Sequence, residues 1–186
     1  RGLQHCRFAD DCNIFVKSRK AAERIMQSIG KFIEKKLKLV INQEKSKVAE
    51  SSAVKFLGMT VMVDGTLAIA KKSLKRAMEK VKELTPRGTC DKLEVAIEKI
   101  NKWYLGWSSY YSMTQYPSQL AAIEAHTRRR LRSRIVAQQK SRRNLFNKLL
   151  KQGVSWVVAK TCFTNKKRWA LSHTRAVEIG YPNQWF

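Results

Sequence analysis

Two adjacent aspartates, Asp10 and Asp11, are the residues of this chain best suited to chemistry. They lie at a polar tip between two short β-type runs within residues 5–17, and a tight turn there allows both carboxylates to approach one point. Two negative charges held so close repel each other, and a divalent cation reverses that interaction. Mg²⁺ prefers hard oxygen ligands, so the pair suits a metal site for phosphate chemistry. The alternative is an ordinary solvated turn, because Asp-Asp pairs are common on protein surfaces.

The elements around this pair predict an α+β unit over residues 1–70. Residues 21–39 have helical spacing, and Ser18 is a suitable N-cap. An apolar run over residues 54–63 predicts a strand, and residues 64–70 predict a tight turn at Asp-Gly followed by a return strand. The predicted helix has one apolar face, formed by Ile25, Ile29, Phe32, Ile33 and Leu37.

The rest of the chain has helical patterns, so the predicted fold class is α+β with an all-helical second part. We place the main boundary near residue 70 and a softer one at 138–142, and we find no internal repeat. The first predicted helix spans 73–84 and is stopped by Pro86 and Gly88. Asp91 caps the second, whose apolar stripe is Leu93, Ile97, Ile100, Tyr104, Trp107 and Tyr111, and Pro117 begins the third, which continues through Leu120, Ile123, Thr127, Leu131 and Ile135. Weaker helical patterns follow at 143–152 and 154–162, and the tail at 165–186 has no clean periodicity.

Charge narrows the class of partner. The chain has 38 Lys and Arg against 14 Asp and Glu, a net charge of +24. A compact domain with this surplus repels itself unless a polyanion neutralises it, and nucleic acid is the usual polyanion. An anionic membrane surface is the rival. No apolar run reaches the ~18 residues that a membrane span needs. The cysteines lack zinc-ligand spacing and a disulfide pattern, so we expect reduced thiols at Cys6, Cys12, Cys90 and Cys162.

A run of basic residues without an intervening acid, within residues 126–151, is the strongest candidate for contact with nucleic acid. Arginine binds phosphate oxygens bidentately, and a helix without acids forgoes the i,i+4 ion pairs of ordinary solvated helices. A solvated charged face is the alternative. Tyr110 is the candidate for base stacking, whereas the spacing of Trp103, Trp107 and Tyr111 favours core packing. The three histidines are isolated and predict no catalytic role. The candidate cations are Arg128, Arg129, Arg130, Arg132, Arg134, Lys140, Arg142 and Arg143.

Four motifs occur in the same order as in a known family. Phe8-Ala9-Asp10-Asp11 resembles the Tyr/Phe-Ala-Asp-Asp motif of reverse transcriptase palm domains. Asn42-Gln43-Glu44-Lys45-Ser46 resembles the Asn-x-x-Lys-Ser/Thr segment after the palm helix, and Phe56-Leu57-Gly58 resembles the primer-grip strand. Gly106-Trp107-Ser108-Ser109-Tyr110-Tyr111 resembles the Gly-Trp-x-x-Tyr-Tyr/Phe helix of group II intron maturases. The last motif narrows the resemblance to the group II intron reverse transcriptase/maturase family.

This resemblance implies three parts: the end of a palm at 1–70, a helical thumb and maturase-specific domain at 71–140, and a basic maturase extension at 141–186. It implies an RNA-directed DNA polymerase that also helps its intron RNA to splice. Its implied partners are intron RNA and an RNA template with a DNA primer, with no membrane and a possible homodimer of the parent protein. A cytoplasmic or organellar location, without secretion, is expected.

The resemblance also implies site roles by position. Asp10 would be the firmer metal ligand and Asp11 its partner, in a site with two Mg²⁺ ions. Lys45 would lie near the leaving pyrophosphate, with an ordinary solvated loop lysine as the alternative. The end of the primer would be held by Phe56, Leu57 and Gly58.

The family's palm contributes a further metal-binding carboxylate upstream of the Asp-Asp hairpin, and no acidic residue precedes Asp10 here. We therefore expect an N-terminally truncated fragment. Three hypotheses follow: the complete parent is a polymerase and maturase; the chain alone is a non-catalytic RNA-binding remnant; or it is a retron-type reverse transcriptase, against which the motif over residues 106–111 argues.

Overall fold

A computed structural model describes residues 2–86, 88, 91–164 and 167–186. The chain divides into two compact units, residues 1–70 and residues 71–186. Cys90 and the first two residues of the predicted tail lie outside the described part, and the described cysteines Cys6, Cys12 and Cys162 are free. No helix in the described part of the chain combines the length and apolar character that crossing a bilayer requires.

The first unit begins with the predicted hairpin and helix. Strands β1 (Gln4–Phe8) and β2 (Asp11–Phe15) pair antiparallel, with Phe8 opposite Asp11. Helix α1 spans Arg19–Lys36, and the Ser18 hydroxyl accepts a hydrogen bond from the backbone N–H of Ala21. This hydrogen bond confirms the N-cap prediction. A Ser side chain is favourable here because it satisfies one of the four backbone N–H groups that a helix N-terminus leaves unpaired.

Helix α1 has an apolar face, but none of its residues is buried. Phe32 and Leu37, two members of the predicted stripe, are 55% and 52% exposed. The periodicity therefore predicted the helix correctly, although helical periodicity does not by itself say how closely the apolar face is covered.

A second hairpin closes this unit. Strands β3 (Met59–Val61) and β4 (Leu67–Ile69) pair antiparallel, and the predicted Asp64-Gly65 turn joins them. Gly65 has a φ of +85°, and the carboxylate of Asp64 accepts hydrogen bonds from the backbone N–H and hydroxyl of Thr66 at 3.0 and 2.6 Å. These hydrogen bonds lower the pKa of Asp64, because they favour its charged form.

The second unit is helical. The three long helices occur where their patterns predicted them, but the N-cap of the second is Lys92, so the prediction of Asp91 as its cap is wrong. The described part of the tail forms two short helices that its weak periodicity did not predict. The helices are α2 (Lys71–Leu84), α3 (Leu93–Tyr110), α4 (Pro117–Gln138), α5 (Arg142–Lys151), α6 (Trp156–Ala159), α7 (Arg168–Leu171) and α8 (Arg175–Gly180), with 3-10 turns at Lys160–Phe163 and Asn183–Trp185.

The principal core of this unit joins distant parts of the sequence. Ile100 from α3 and Ile135 from α4 pack with Leu149 from α5, Leu171 from α7 and Tyr181 after α8. Residues on both sides of 138–142 therefore share one core. A smaller cluster joins α2 to α3 and α4 through Ala77, Val81, Ile123, Trp103, Tyr104 and Trp107.

Candidate functional sites

The Asp10-Asp11 pair lies at the tip of the first hairpin. Ala9 and Asp10 form a two-residue loop, and Ala9 has a φ of +50°, as the first loop residue of a primed hairpin turn requires. The Arg7 guanidinium supports the tip by donating from Nε to the Ala9 carbonyl at 3.0 Å. Both aspartates are exposed, so their oxygen atoms are accessible to a cation or a phosphate-bearing ligand.

These two carboxylates are suitable in type for a hard cation such as Mg²⁺. Within the described residues, however, no group of three or more His, Cys, Asp or Glu side chains could hold a metal ion. Asp10 and Asp11 therefore agree with the predicted ligands in donor type alone.

Lys45 is presented by a turn that its neighbours build. The Asn42 side-chain oxygen accepts from the backbone N–H groups of Glu44 and Lys45, each at 3.1 Å, and Ser46 N–H donates to the Asn42 carbonyl at 3.0 Å. Asparagine favours such turns because its short side chain mimics a backbone acceptor. The Lys45 side chain is exposed on this turn.

The Phe56-Leu57-Gly58 segment is a tight turn, and its prediction as strand interior is wrong. Phe56 and Met59 exchange two backbone hydrogen bonds of 2.9 Å, which makes Leu57 and Gly58 the two loop residues. Their φ values of +49° and +83° match a type I′ turn. Glycine adopts this conformation readily, whereas leucine is strained in it.

The arginine run of α4 is partly buried, although the sequence predicted contact with nucleic acid for the whole run. Arg132 and Arg134 are only 7% and 3% exposed. Arg132 donates from Nε to the Tyr181 carbonyl and from a terminal nitrogen to the Asn183 side chain, both at 2.9 Å. Arg134 donates to the Asp91 carbonyl. Burial lowers the pKa of Arg132, because desolvation disfavours the charged form.

Arg130 also has a structural role. It donates to the Thr85 hydroxyl at 2.9 Å and to the Thr85 carbonyl at 2.6 Å, and so binds the C-terminal end of α2. Arg130, Arg132 and Arg134 thus all donate to backbone carbonyls, which arginine does well because its planar fork has five donors.

The first two arginines of the run are half-buried and differ in their partners. Arg128 forms an i,i+4 ion pair with Glu124 at 3.2 Å, so the argument that this helix lacks such pairs is wrong. The Arg129 guanidinium lies over the Trp169 ring, 4.3 Å from its centroid, and donates to the Trp169 carbonyl at 3.5 Å.

The cations around the start of α5 are more accessible. Lys140 and Arg143 are exposed and Arg142 is half-buried, beside the N-cap Ser141. Basic residues are unfavourable next to the positive end of a helix dipole unless an anion is near. Lys140, Arg142 and Arg143 therefore remain candidates for binding an anion such as phosphate, as the sequence predicted for the whole run.

Of the aromatic residues that were predicted to pack in the core, Trp103 and Trp107 do so, whereas Tyr111 is half-buried and belongs to neither core cluster of the described residues. Trp103 and Trp107 stack with centroids 5.9 Å apart and pack on the smaller core cluster, whereas Tyr110 is 52% exposed. Tyr104 donates its hydroxyl hydrogen to Glu124 at 2.7 Å, and burial together with this carboxylate raises the pKa of Tyr104. The surface position of Tyr110 leaves its ring accessible for stacking.

One cavity was not predicted from the sequence. It lies between α4, α7 and α8 and is lined by His126, Arg129, Arg132, Trp169, His173 and Glu178, among others. His126 and His173, which are isolated in the sequence, meet here because the tail folds back on α4. The sequence feature that could have indicated this cavity is the three-residue spacing of His126 and Arg129, which places both residues on one side of a helix.

Two family models match the chain. One, described as reverse transcriptase (RNA-dependent DNA polymerase), matches residues 1–61, which contain both hairpin aspartates, Lys45 and the Phe56–Gly58 turn. The other, described as group II intron, maturase-specific domain, matches residues 74–153, which contain α3, α4 and α5. No curated protein matches the chain significantly.

Proposed function

Because the chain belongs to the group II intron reverse transcriptase/maturase family, we propose that its helical unit binds intron RNA and that its first hairpin supplies two metal ligands for RNA-directed DNA synthesis. The reverse transcriptase family typically depends on a divalent metal. The three parts of the proposed assignment are the end of a palm over 1–70, a thumb and maturase-specific domain over 71–140, and a basic extension over 141–186.

The match of the maturase-specific model to residues 74–153 carries the RNA-binding proposal. This range includes Lys140, Arg142 and Arg143, which lie at or near the surface of the helical unit. Lys and Arg side chains that contact phosphates release condensed counterions, and that release favours binding at low salt. Tyr110 adds an exposed ring on which an unpaired base can stack.

The polymerase proposal assigns roles to residues of the first unit. Asp10 and Asp11 would hold Mg²⁺, which supplies charge neutralisation at the transferred phosphate when it is bound. Lys45, exposed on its turn, is a cation available for the leaving pyrophosphate. The turn over residues 56–58 would support the primer end through its close backbone approach.

RNA binding is tested on the whole chain with a single-stranded intron RNA segment at several salt concentrations. Replacing Lys140 and Arg143 with Gln should weaken binding and reduce the salt slope by about 0.7 for each phosphate that the variant no longer neutralises. The matched control replaces Lys35 and Lys36, two exposed cations of α1, with Gln and removes the same charge. An equal reduction of affinity in both double variants would mean that only net charge matters, and the assigned surface would be wrong.

A non-catalytic RNA-binding function is the second candidate, and the lack of a third acidic ligand near Asp10 and Asp11 in the described residues favours it for the isolated chain. Primer extension on an RNA template with Mg²⁺ separates the two. Extension that Asp10→Ala abolishes would establish polymerisation by this chain. RNA binding without any extension would assign the chain the binding function alone.

A further inference from the structure

A cavity of about 350 Å³ in the helical unit is lined by residues of α4, α7 and α8. Arg128, Arg129 and Arg132 line it from α4, and Trp169 lines it from α7. The volume lies at the lower end of the range for small-ligand sites. The cavity therefore has room for a small anionic group and a part of the molecule that carries it.

Two nitrogen atoms of residues that line this cavity, Nε2 of His126 and Nε of Arg129, are buried and lack a hydrogen-bond partner within the part of the chain that the structure describes. Buried polar atoms are normally paired. The stacking of Arg129 on Trp169 holds its guanidinium in place while Nε stays unpaired. A neutral imidazole with its proton on Nε2 is likewise a donor. Arg129 Nε is thus a donor without an acceptor in the described part of the chain, and His126 Nε2 is another when it carries the imidazole proton.

The charges around the cavity favour an anion. Three guanidinium groups line it against one carboxylate, that of Glu178. Glu178 accepts from His173 Nδ1 at 2.8 Å and lies 4.0 Å from a terminal nitrogen of Arg132. Glu124, which pairs with Arg128, does not line the cavity. Arg128 and Arg132 thus each have a carboxylate within 4.0 Å, and Arg129 is the lining arginine without an ion pair in the described part of the chain.

We propose that this cavity is a phosphate-binding site that receives one phosphate group of the bound RNA, with Arg129 and His126 as its donors. The proposal rests on RNA binding by the helical unit and narrows it to one position. Arginine suits this ligand because its planar fork bonds phosphate oxygens. Arg130 and Arg134 contribute to the fold around the site but do not line it.

The test uses variants of the whole chain that alter donors without changing net charge. Arg129→Lys keeps the charge and removes the fork. His126→Asn removes a donor at the Nε2 position, whereas His126→Gln places an amide there. Arg129→Lys and His126→Asn should each weaken RNA binding about tenfold, as expected when one charge-assisted hydrogen bond is removed, and His126→Gln should retain most of the affinity. The matched control is Arg76→Lys, an exposed arginine of α2 outside the cavity.

The source of the phosphate is distinguished with one RNA sequence that carries either a 5′-phosphate or a 5′-hydroxyl. Equally weakened binding of both RNAs identifies an internal phosphodiester, and weakened binding of the phosphorylated RNA alone identifies a terminal phosphate. Affinities equal to wild type for Arg129→Lys and His126→Asn would overturn the cavity site. If replacement of Lys140 and Arg143 still weakens binding in the same assay, the proposal that the helical unit binds RNA remains, even though the cavity site is wrong.

A second measurement uses the wild-type chain, so that the proposal is tested even if the variants fail to fold. Inorganic phosphate is titrated into the wild-type chain, and the ring resonances of His126 are followed by NMR. Phosphate should shift these resonances until the site is saturated. The control is chloride at equal ionic strength, without sulfate. Equal responses to phosphate and chloride would overturn the proposal whether or not the chain binds RNA.

Discussion

The two units of this chain use their distinctive residues in opposite ways. In the first unit the family motifs lie on exposed turns, at Asp10, Lys45 and Leu57, and helix α1 buries none of its residues. In the second unit a closed core holds the helices, and Arg132 and Arg134 are buried in contact with backbone carbonyls. The charged residues of the motifs in the first unit are therefore accessible, whereas Arg132 and Arg134 in the second unit bond the backbone of other elements.

The difference has a physical cause in the reach of each side chain. A turn aspartate is short and stays where the backbone places it, so local sequence decides its exposure. An arginine on a helix extends far from its backbone, and its guanidinium can serve solvent, phosphate or a carbonyl on another element. Which of these it serves depends on what packs beside the helix.

The largest expected effect is on stability, from removal of a buried arginine. Arg132→Ala should lower the free energy of unfolding by about 3 kcal/mol, because the Tyr181 carbonyl and the Asn183 side chain lose a charged donor inside the protein. Urea denaturation measures this. Arg143→Ala, on the exposed side of α5, is the control and should change stability by less than about 0.5 kcal/mol. Similar values for both variants would remove the distinction between buried and exposed arginines.

Two glycines of the second unit provide a matched comparison. An added Cβ at Gly180 would lie 2.7 Å from Leu149 Cδ2 and 3.2 Å from Val154 Cγ2, so Gly180→Ala should destabilise by about 2 kcal/mol through overpacking. Gly106, inside α3, has nothing within 4 Å of that position. Gly106→Ala should instead stabilise by roughly 0.5–1 kcal/mol, because alanine favours helix.

Thermal unfolding and RNA binding are measured together for the two glycine variants. If Gly106→Ala raises stability and weakens RNA binding, the open surface at Gly106 is part of the RNA contact. A destabilised Gly106→Ala variant would show that the helix requires glycine for its own packing.

The strained turn of the first unit gives a smaller effect. Leu57→Asn should stabilise the chain by roughly 0.5–1 kcal/mol, because asparagine tolerates positive φ and Asn-Gly is the preferred type I′ sequence. Equilibrium denaturation followed by backbone NMR of β3 tests this. Val63→Asn, at the following turn but with negative φ, is the control and should not stabilise. Destabilisation by Leu57→Asn would mean that the packing of the leucine side chain outweighs the strain of the turn.

The smallest expected effect is on the pH dependence of stability. Burial, followed by repulsion from Arg130, Lys82 and Arg129, lowers the pKa of His126 below its usual value. The unfolded chain then binds a proton more readily than the folded chain, so stability is complete above about pH 6.5 and declines as the pH falls below it. His126→Gln should reduce this decline between pH 7.5 and 5.5, measured by urea denaturation.

Much of the fold could be predicted from local patterns. Ser18 as a cap, the Asp64-Gly65 turn and the long helices depend on interactions within a few residues, and they occur as predicted. The segment over residues 56–58 could not be predicted as a turn, because its apolar composition matches a strand and its conformation includes a strained leucine. The short helices of the tail also escaped prediction, because contacts with α4 and α5 stabilise them more than their own periodicity does.

The sequence by itself determined the family of this protein, its strong positive charge and the carboxylate pair at the tip of the first hairpin. These follow from the identity and spacing of residues, which no later packing can change. Only the tertiary structure decided which arginines are accessible and which bind carbonyls, and only it brought His126, Arg129 and Trp169 to one cavity. The physical reason is that the partners of a long side chain come from distant segments, and their positions depend on the packing of the whole core.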